Sequence, residues 1–171
     1  MGGFLLICSS GMAESSSSRI FAPGLLEGKI CAISGAGTGL GRASAVELAR
    51  LGATVVGCGR RSGPLEEMVS EVGGNGGKAE FDAVDIRDAE AVDGFIDGIL
   101  ERHGRLDLLV NNAGGQFLSP AEGITPKGFR TVIELNVQGT WQMTHEAATK
   151  AFIPAAPGRI VSPTVSPHSG F

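Results

Sequence analysis

Short apolar runs alternate with longer segments of helical periodicity along most of this chain. The apolar runs have the length of strands and predict five of them: Lys29–Ser34, Thr54–Gly59, a run ending near Asp85, Leu106–Asn112 and Gly158–Val165. This alternation is typical of βαβ units built on a parallel sheet. Because parallel crossovers are right-handed, it predicts an α/β fold with a doubly wound sheet in the strand order 3-2-1-4-5.

Four helices are predicted between these strands. The first runs from about Leu40 to Leu51, and the second has Pro64 near its start and ends before Gly73. Asp88 is a candidate N-cap for the third helix, because its carboxylate can accept from free backbone N–H groups. The fourth and longest helix runs from about Lys127 to Phe152.

Composition limits the class of protein and its partners. The chain has 171 residues, of which 42% are hydrophobic and 19% charged, enough for one domain with a core. A net charge of −4 without a long run of Lys or Arg predicts neither a nucleic-acid nor a membrane partner. The cysteines are odd in number and far apart, and we interpret them as reduced thiols of a cytoplasmic protein: Cys8, Cys31 and Cys58. No histidine has a partner at metal-ligand spacing, so we expect no metal site.

Residues 1–23 differ in composition from the rest of the chain. The apolar stretch Phe4–Cys8 is too short for a secretory signal, and the serine run Ser15–Ser18 cannot pack a core. We therefore expect a flexible leader over residues 1–23 and an ordered domain over residues 24–171.

A glycine-rich segment, SGAGTGLGRA, joins the first strand to the first helix. Glycines 35, 39 and 41 let backbone N–H groups face an anion at the helix N-terminus. An ordinary strand-to-helix turn is the alternative, but its position in a βαβ unit favours a pyrophosphate site. We expect the contacts from Gly35, Thr38, Gly39, Leu40 and Gly41.

The second strand ends in Gly-Arg-Arg, where a site for NAD usually has an acidic residue. Arg60 and Arg61 would instead attract a 2′-phosphate, since guanidinium groups bind phosphate oxygens bidentately. A solvated basic pair is the alternative interpretation. The position favours NADP(H) as the cofactor.

Motifs at the ends of two further strands complete the pattern. Asp85 and Ile86 end the third strand, and Asn-Asn-Ala-Gly at residues 111–114 ends the fourth. With the glycine segment they make the chain resemble the short-chain dehydrogenase/reductase family over nearly all of residues 24–171. That resemblance implies a Rossmann-type NADP-binding domain in which Asp85 and Ile86 lie near adenine. It also implies cofactor contacts from Asn112, Ala113 and Gly114.

The resemblance implies a catalytic role for one helix residue and a narrower branch of the family. Asn136, in IELNVQGT, corresponds to the asparagine that holds a water in the family's proton relay; otherwise it is a polar residue inside a helix. Gly-Gly-Gln-Phe-Leu-Ser-Pro-Ala-Glu, residues 114–122, is similar to the peroxisomal trans-2-enoyl-CoA reductase branch. The implied function is NADP(H)-dependent reduction of an enoyl thioester, with alcohol/aldehyde interconversion as the alternative. A peroxisomal location stays open.

The family's general acid/base is a tyrosine four residues before a lysine, yet this sequence contains no tyrosine. Family members carry the pair on the helix after the fifth strand, so we expect a chain truncated before its last strands and helices. The 171 residues would then be inactive, and a non-catalytic NADP-binding fragment is the other interpretation. A serine equivalent near residues 164–166 stays unassigned. We expect the parent to be a homo-oligomer acting on a small molecule, and this chain to self-associate.

Overall fold

The computed structural model describes residues 20–155 and 157–164. Its strands are β1 Ile30–Ser34, β2 Thr54–Gly59, β3 Lys78–Ala83, β4 Leu108–Asn111 and β5 Arg159–Val161. Its α-helices are α1 Gly39–Arg50, α2 Ser62–Gly74, α3 Ala89–His103, α4 Pro126–Ile133 and α5 Thr140–Ala147. Apart from residues 20–23, the expected leader lies outside the described residues.

The five strands form one parallel sheet in the order β3-β2-β1-β4-β5, which confirms the predicted topology. Ser34, the last residue of β1, is level with Cys58 on one side and Asn111 on the other. Strand order reverses around β1, so a crevice opens outside these carboxyl ends. This register brings the ends of β1, β2 and β4 to one edge.

Helices cover both faces of the sheet. One core cluster joins Ile30 and Ala32 of β1 to residues of α3 and α5, including Ile96 and Met143. The other joins alternate strand residues such as Ile33 to residues of α1 and α2: Ala45, Val46, Ala49, Leu65, Met68 and Val72. All five residues of β1 are buried because the strand is covered on both faces. The positions of the strand ends are thereby fixed by a packed core.

Several predicted boundaries are confirmed and others are corrected. The Asp88 side chain accepts from the backbone N–H groups of Glu90 and Ala91, as expected of an N-cap. The second helix was expected to end before Gly73 but continues to Gly74, because glycine disfavours a helix without forbidding it. The fifth strand is Arg159–Val161 rather than Gly158–Val165, since Pro163 has no N–H to donate to a ladder. Val165 lies outside the described residues.

The predicted long helix is not α-helical throughout. Two π-helical segments, Glu134–Gly139 and Ala148–Phe152, follow α4 and α5. Gly139 packs against Ile86, and a Cβ there would lie 2.7 Å from the isoleucine side chain. The wider π turn therefore falls where the helix meets Ile86, which follows the end of β3. No helix in the described part of the chain is long and apolar enough to cross a bilayer.

Candidate functional site

The glycine segment after β1 is shaped by close contacts that only glycine permits. Gly35 has a φ of 69°, in the left-handed region that favours glycine. A Cβ on Gly41 would lie 2.9 Å from the carbonyl carbon of Gly35 and nearer still to the carbonyl oxygen. The first turn of α1 thus rests directly on the loop. Its leading N–H groups have no acceptor within the helix and can bind an external anion.

Ser34 and Asn112 fasten this loop to the end of β4. The hydroxyl oxygen of Ser34 accepts from the backbone N–H groups of Asn112, at 3.1 Å, and Ala113, at 3.0 Å. In return the Asn112 side-chain amide donates to the carbonyl oxygens of Ser34 and Gly35, both at 3.2 Å. The Asn112 side chain therefore holds the glycine loop against the end of β4.

One cleft at the carboxyl edge brings together most of the cofactor residues expected from the sequence. Those that line it are Gly35, Thr38, Arg60, Arg61, Asp85, Ile86, Ala113 and Gly114. Gly39, Leu40 and Gly41 form the start of α1 outside this lining; Gly41 is buried and Leu40 is exposed. Six further lining residues were not expected: Gly37, Gly59, Pro64, Leu65, Val84 and Leu135. Gly37, Gly59 and Val84 adjoin expected residues, whereas the other three reach the cleft through helix packing that no motif reveals.

The two arginines of this cleft lack carboxylate partners among the described residues. Arg60 and Arg61 are exposed, and Arg61 stands at the N-cap of α2. By contrast, other arginines bind one or two acidic side chains at 2.5–2.9 Å: Arg42, Arg87, Arg102 and Arg105. The free positive charge of the cleft is therefore concentrated at the end of β2.

Asp85 reaches the same cleft with its carboxylate already engaged. The Arg87 Nε donates to both carboxylate oxygens, at 2.9 and 3.2 Å, and the Arg87 backbone N–H donates at 3.1 Å. The Arg87 hydrogen bonds hold the pKa of Asp85 below its ordinary value against the effect of burial, and the charge of Arg60 acts in the same direction. Asp85 is thus an anion at neutral pH.

Asn136 lies in a neighbouring cleft beyond Gly114. Its amide nitrogen donates to the carbonyl oxygens of Gly115, at 2.8 Å, and Val132, at 2.9 Å, and its oxygen accepts from the Gly115 N–H at 3.1 Å. The residues lining this cleft come from the β4 end, the long helix and the segment after β5, and include Asn111, Asn112, Thr140, Ser162 and Thr164. The Asn136 amide therefore fixes the chain that leaves β4.

The described cysteines take no part in either cleft. Cys31 and Cys58 are free and buried in the sheet. Burial raises the pKa of each thiol to about 12, so neither is a thiolate at neutral pH. Cys8 lies outside the described residues.

The sequence profile of a family described as short chain dehydrogenase matches residues 29–169. A peroxisomal 2,4-dienoyl-CoA reductase of Arabidopsis thaliana is 36% identical over 81% of this chain and 46% of its own length. A probable 2,4-dienoyl-CoA reductase of Bacillus subtilis is 37% identical over 72% of this chain and 48% of its own length. The chain thus spans about half the length of these curated relatives.

Solved structures share the fold and differ in the cofactor that their descriptions name. A citronellol catabolism dehydrogenase of Pseudomonas aeruginosa PAO1 is 38% identical, with a TM-score of 0.83 over 91% of this chain and 63% of that one. A metagenomic short-chain oxidoreductase in complex with NADP is 33% identical, with a TM-score of 0.78 over 85% of this chain and 66% of that one. An NAD⁺-bound xylitol dehydrogenase is 30% identical, with a TM-score of 0.77 over 80% of this chain and 53% of that one. Both nicotinamide cofactors therefore occur among similar structures.

Proposed function

Because the chain belongs to the short-chain dehydrogenase family, we propose that it supplies the NADP(H)-binding part of a reductase for unsaturated acyl thioesters. The observation that carries the cofactor choice is the pair of unpartnered guanidinium groups at the end of β2, Arg60 and Arg61. A carboxylate at this position would accept from the ribose hydroxyls of NAD and repel a 2′-phosphate. Two free arginines favour the phosphate.

The residues of the cleft fit this cofactor from one end to the other. The glycine segment and the start of α1 offer backbone N–H groups to the pyrophosphate. The missing Cβ of Gly35 lets this loop pack closely against Asn112 and Ala113. Arg60 and Arg61 would hold the 2′-phosphate, and Asp85 and Ile86 would border the adenine. Ala113 and Gly114 would line the part of the cleft nearest the nicotinamide. When bound, NADPH supplies the hydride.

Asn136 has one hydrogen-bonding position left for the proton relay. Both amide hydrogens are donated to carbonyl oxygens, and the amide oxygen accepts once from Gly115. One lone pair of that oxygen stays open, since a carbonyl oxygen can accept twice. We propose that this lone pair binds the water of the relay, while the rest of the amide keeps Gly114 and Gly115 in position.

The general acid/base is proposed to belong to the longer parent. The 171 residues contain no tyrosine, so no phenol can protonate or polarise a substrate here. The purified chain should therefore bind NADPH yet oxidise none of it with crotonyl-CoA or a 2,4-dienoyl-CoA above an enzyme-free control. Steady loss of absorbance from NADPH would contradict this assignment and favour a catalytic route independent of tyrosine.

The substrate class is tested on the longer protein from the same reading frame. The names of the Arabidopsis and Bacillus relatives support an unsaturated acyl thioester. The Pseudomonas structure, named for citronellol catabolism, supports alcohol/aldehyde interconversion as the second candidate. A higher kcat/KM for enoyl or dienoyl thioesters than for citronellol would support the first. The reverse order would support the second, and a protein that binds NADPH but turns over neither would support a binding-only role.

The parent is proposed to be a homo-oligomer that acts on a small molecule. Apolar side chains recur every four residues on the exposed face of the long helix: Phe129, Ile133, Val137 and Trp141. Such a stripe suits packing against a second copy. A cytoplasmic location stays a prediction from the sequence, and the name of the Arabidopsis relative places only that protein in the peroxisome.

A further inference from the structure

Asp85 interacts with two arginines, one through hydrogen bonds and the other only through its charge. Arg87 binds its carboxylate through Nε, Nη2 and the backbone N–H. Arg60 lines the same cleft as Asp85 and lowers the pKa of its carboxyl by charge alone, with no hydrogen bond between the two residues. The negative charge of Asp85 is therefore within electrostatic reach of the guanidinium that is proposed to bind phosphate.

An unshielded carboxylate at this place would oppose phosphate binding in two ways. It would attract the flexible Arg60 side chain into an ion pair, and it would repel a phosphate group that carries nearly two negative charges. Arg87 removes both effects because its guanidinium occupies the oxygens of Asp85 and neutralises their charge.

The turn at residues 85–88 places Arg87 where it can bind the Asp85 carboxylate. Its backbone N–H donates to Asp85 Oδ1, and the Asp88 N–H donates to the Asp85 carbonyl at 2.9 Å, so the turn itself brings the two side chains together. Arg87 does not line the proposed cofactor cleft. It borders the adjacent one with Asp88, Glu134 and Gln138. It can thus hold Asp85 without touching a bound nucleotide.

We propose that Arg87 is a positioning residue that determines cofactor specificity: by holding the Asp85 carboxylate, it leaves Arg60 free for the 2′-phosphate of NADP(H). This inference rests on the proposed NADP(H) site. Arg87 acts through Asp85 and makes no contact with the cofactor.

The test measures the dissociation constants of adenosine 2′,5′-bisphosphate and 5′-AMP, which differ only in the 2′-phosphate. Arg87→Gln should weaken binding of the bisphosphate about fivefold, the worth of one partly exposed ion pair, and leave 5′-AMP unchanged. Adding Asp85→Asn to Arg87→Gln should restore the wild-type ratio of the two constants. Arg102→Gln, which breaks a remote ion pair with Glu80 and Asp82, should leave the ratio unchanged.

Three outcomes would overturn the inference, and they separate it from the proposed function. If the wild type prefers the bisphosphate but Arg87→Gln keeps the full preference, the NADP(H) site stands and the role of Arg87 fails. Equal weakening of both ligands in Arg87→Gln would indicate a merely structural role. If the wild type shows no preference at all, the proposed cofactor choice fails and the inference fails with it.

Discussion

Replacing Gly41 by alanine should destabilise the domain, although alanine is the better helix former. The new Cβ would lie 2.9 Å from the carbonyl carbon of Gly35, whereas carbon atoms ordinarily stay about 3.5–4.0 Å apart. The first turn of α1 or the glycine loop must therefore move. The hydrogen bond from the Asn112 amide to the Gly35 carbonyl lies in the same contact and would be lost.

The opposing contributions can be compared in size. Overpacking costs about 1–3 kcal/mol, and loss of the Asn112 hydrogen bond costs about 1 kcal/mol more. The higher helix propensity of alanine relative to glycine stabilises the helix by about 1 kcal/mol. The free energy of unfolding should therefore fall by about 2 kcal/mol, which for a chain of this size lowers the Tm by about 4–8 °C.

Gly94→Ala provides a matched control within the same chain. Gly94 lies in the middle of α3, and a Cβ there would meet no atom within 4 Å. The same chemical change should raise the free energy of unfolding by about 0.5–1 kcal/mol. Urea denaturation and thermal melting of both variants test the comparison, and NADPH titration should show weaker binding for Gly41→Ala alone. A Gly41→Ala variant as stable as Gly94→Ala would refute the close-packed loop.

Three further predictions concern acid stability, thiol reactivity and association. Burial raises the pKa of Asp107, but hydrogen bonds from Arg105, the Ile30 N–H and Lys29 outweigh it and hold the pKa below its ordinary value. The Asp107 carboxylate therefore stabilises the fold fully above pH about 4 and less as the pH falls further. Asp107→Asn should lower the free energy of unfolding by about 1–2 kcal/mol at pH 7, as measured in urea. A loss of stability in acid that is the same in the variant and the wild type would contradict this. Cys31 and Cys58 should resist iodoacetamide at pH 8 until the chain is unfolded. Rapid labelling of either residue in the folded protein, located by peptide mass spectrometry, would disprove its burial. The purified chain should self-associate because the apolar stripe from Phe129 to Trp141 is exposed, and a monodisperse monomer in light scattering would exclude this.

The sheet and most of the cleft could be predicted because they follow from periodicity and crossover handedness. Apolar runs indicate β1, β2 and β4, whereas β3, with the sequence KAEFDA, is half charged. The carboxyl ends of parallel strands must share an edge. That is why Arg60, Asp85 and Gly114, far apart in sequence, were expected together and line one cleft.

Other features depend on contacts that sequence spacing does not encode. No residue pattern in Glu134–Gly139 distinguishes a π turn from an α turn. In the folded chain Gly139 packs against Ile86, and the Asn136 amide donates to the Gly115 carbonyl oxygen. Arg87 follows Asp85 by two residues, but only the turn geometry decides that its side chain folds back onto that carboxylate. Leu135 reaches the cleft through the same helix packing.

The most direct test of the account titrates NADPH and NADH against the wild type and the Arg60→Gln/Arg61→Gln variant. Arg102→Gln/Arg130→Gln removes the same charge from residues that do not line the cleft and serves as the control. The wild type and the control should bind NADPH more tightly than NADH. The Arg60→Gln/Arg61→Gln variant should lose about 1.5–3 kcal/mol of that preference, which is roughly 10- to 150-fold in the ratio of the two Kd values. Equal wild-type affinities for the two cofactors, or a preference that survives loss of both arginines, would contradict the proposed NADP(H) site.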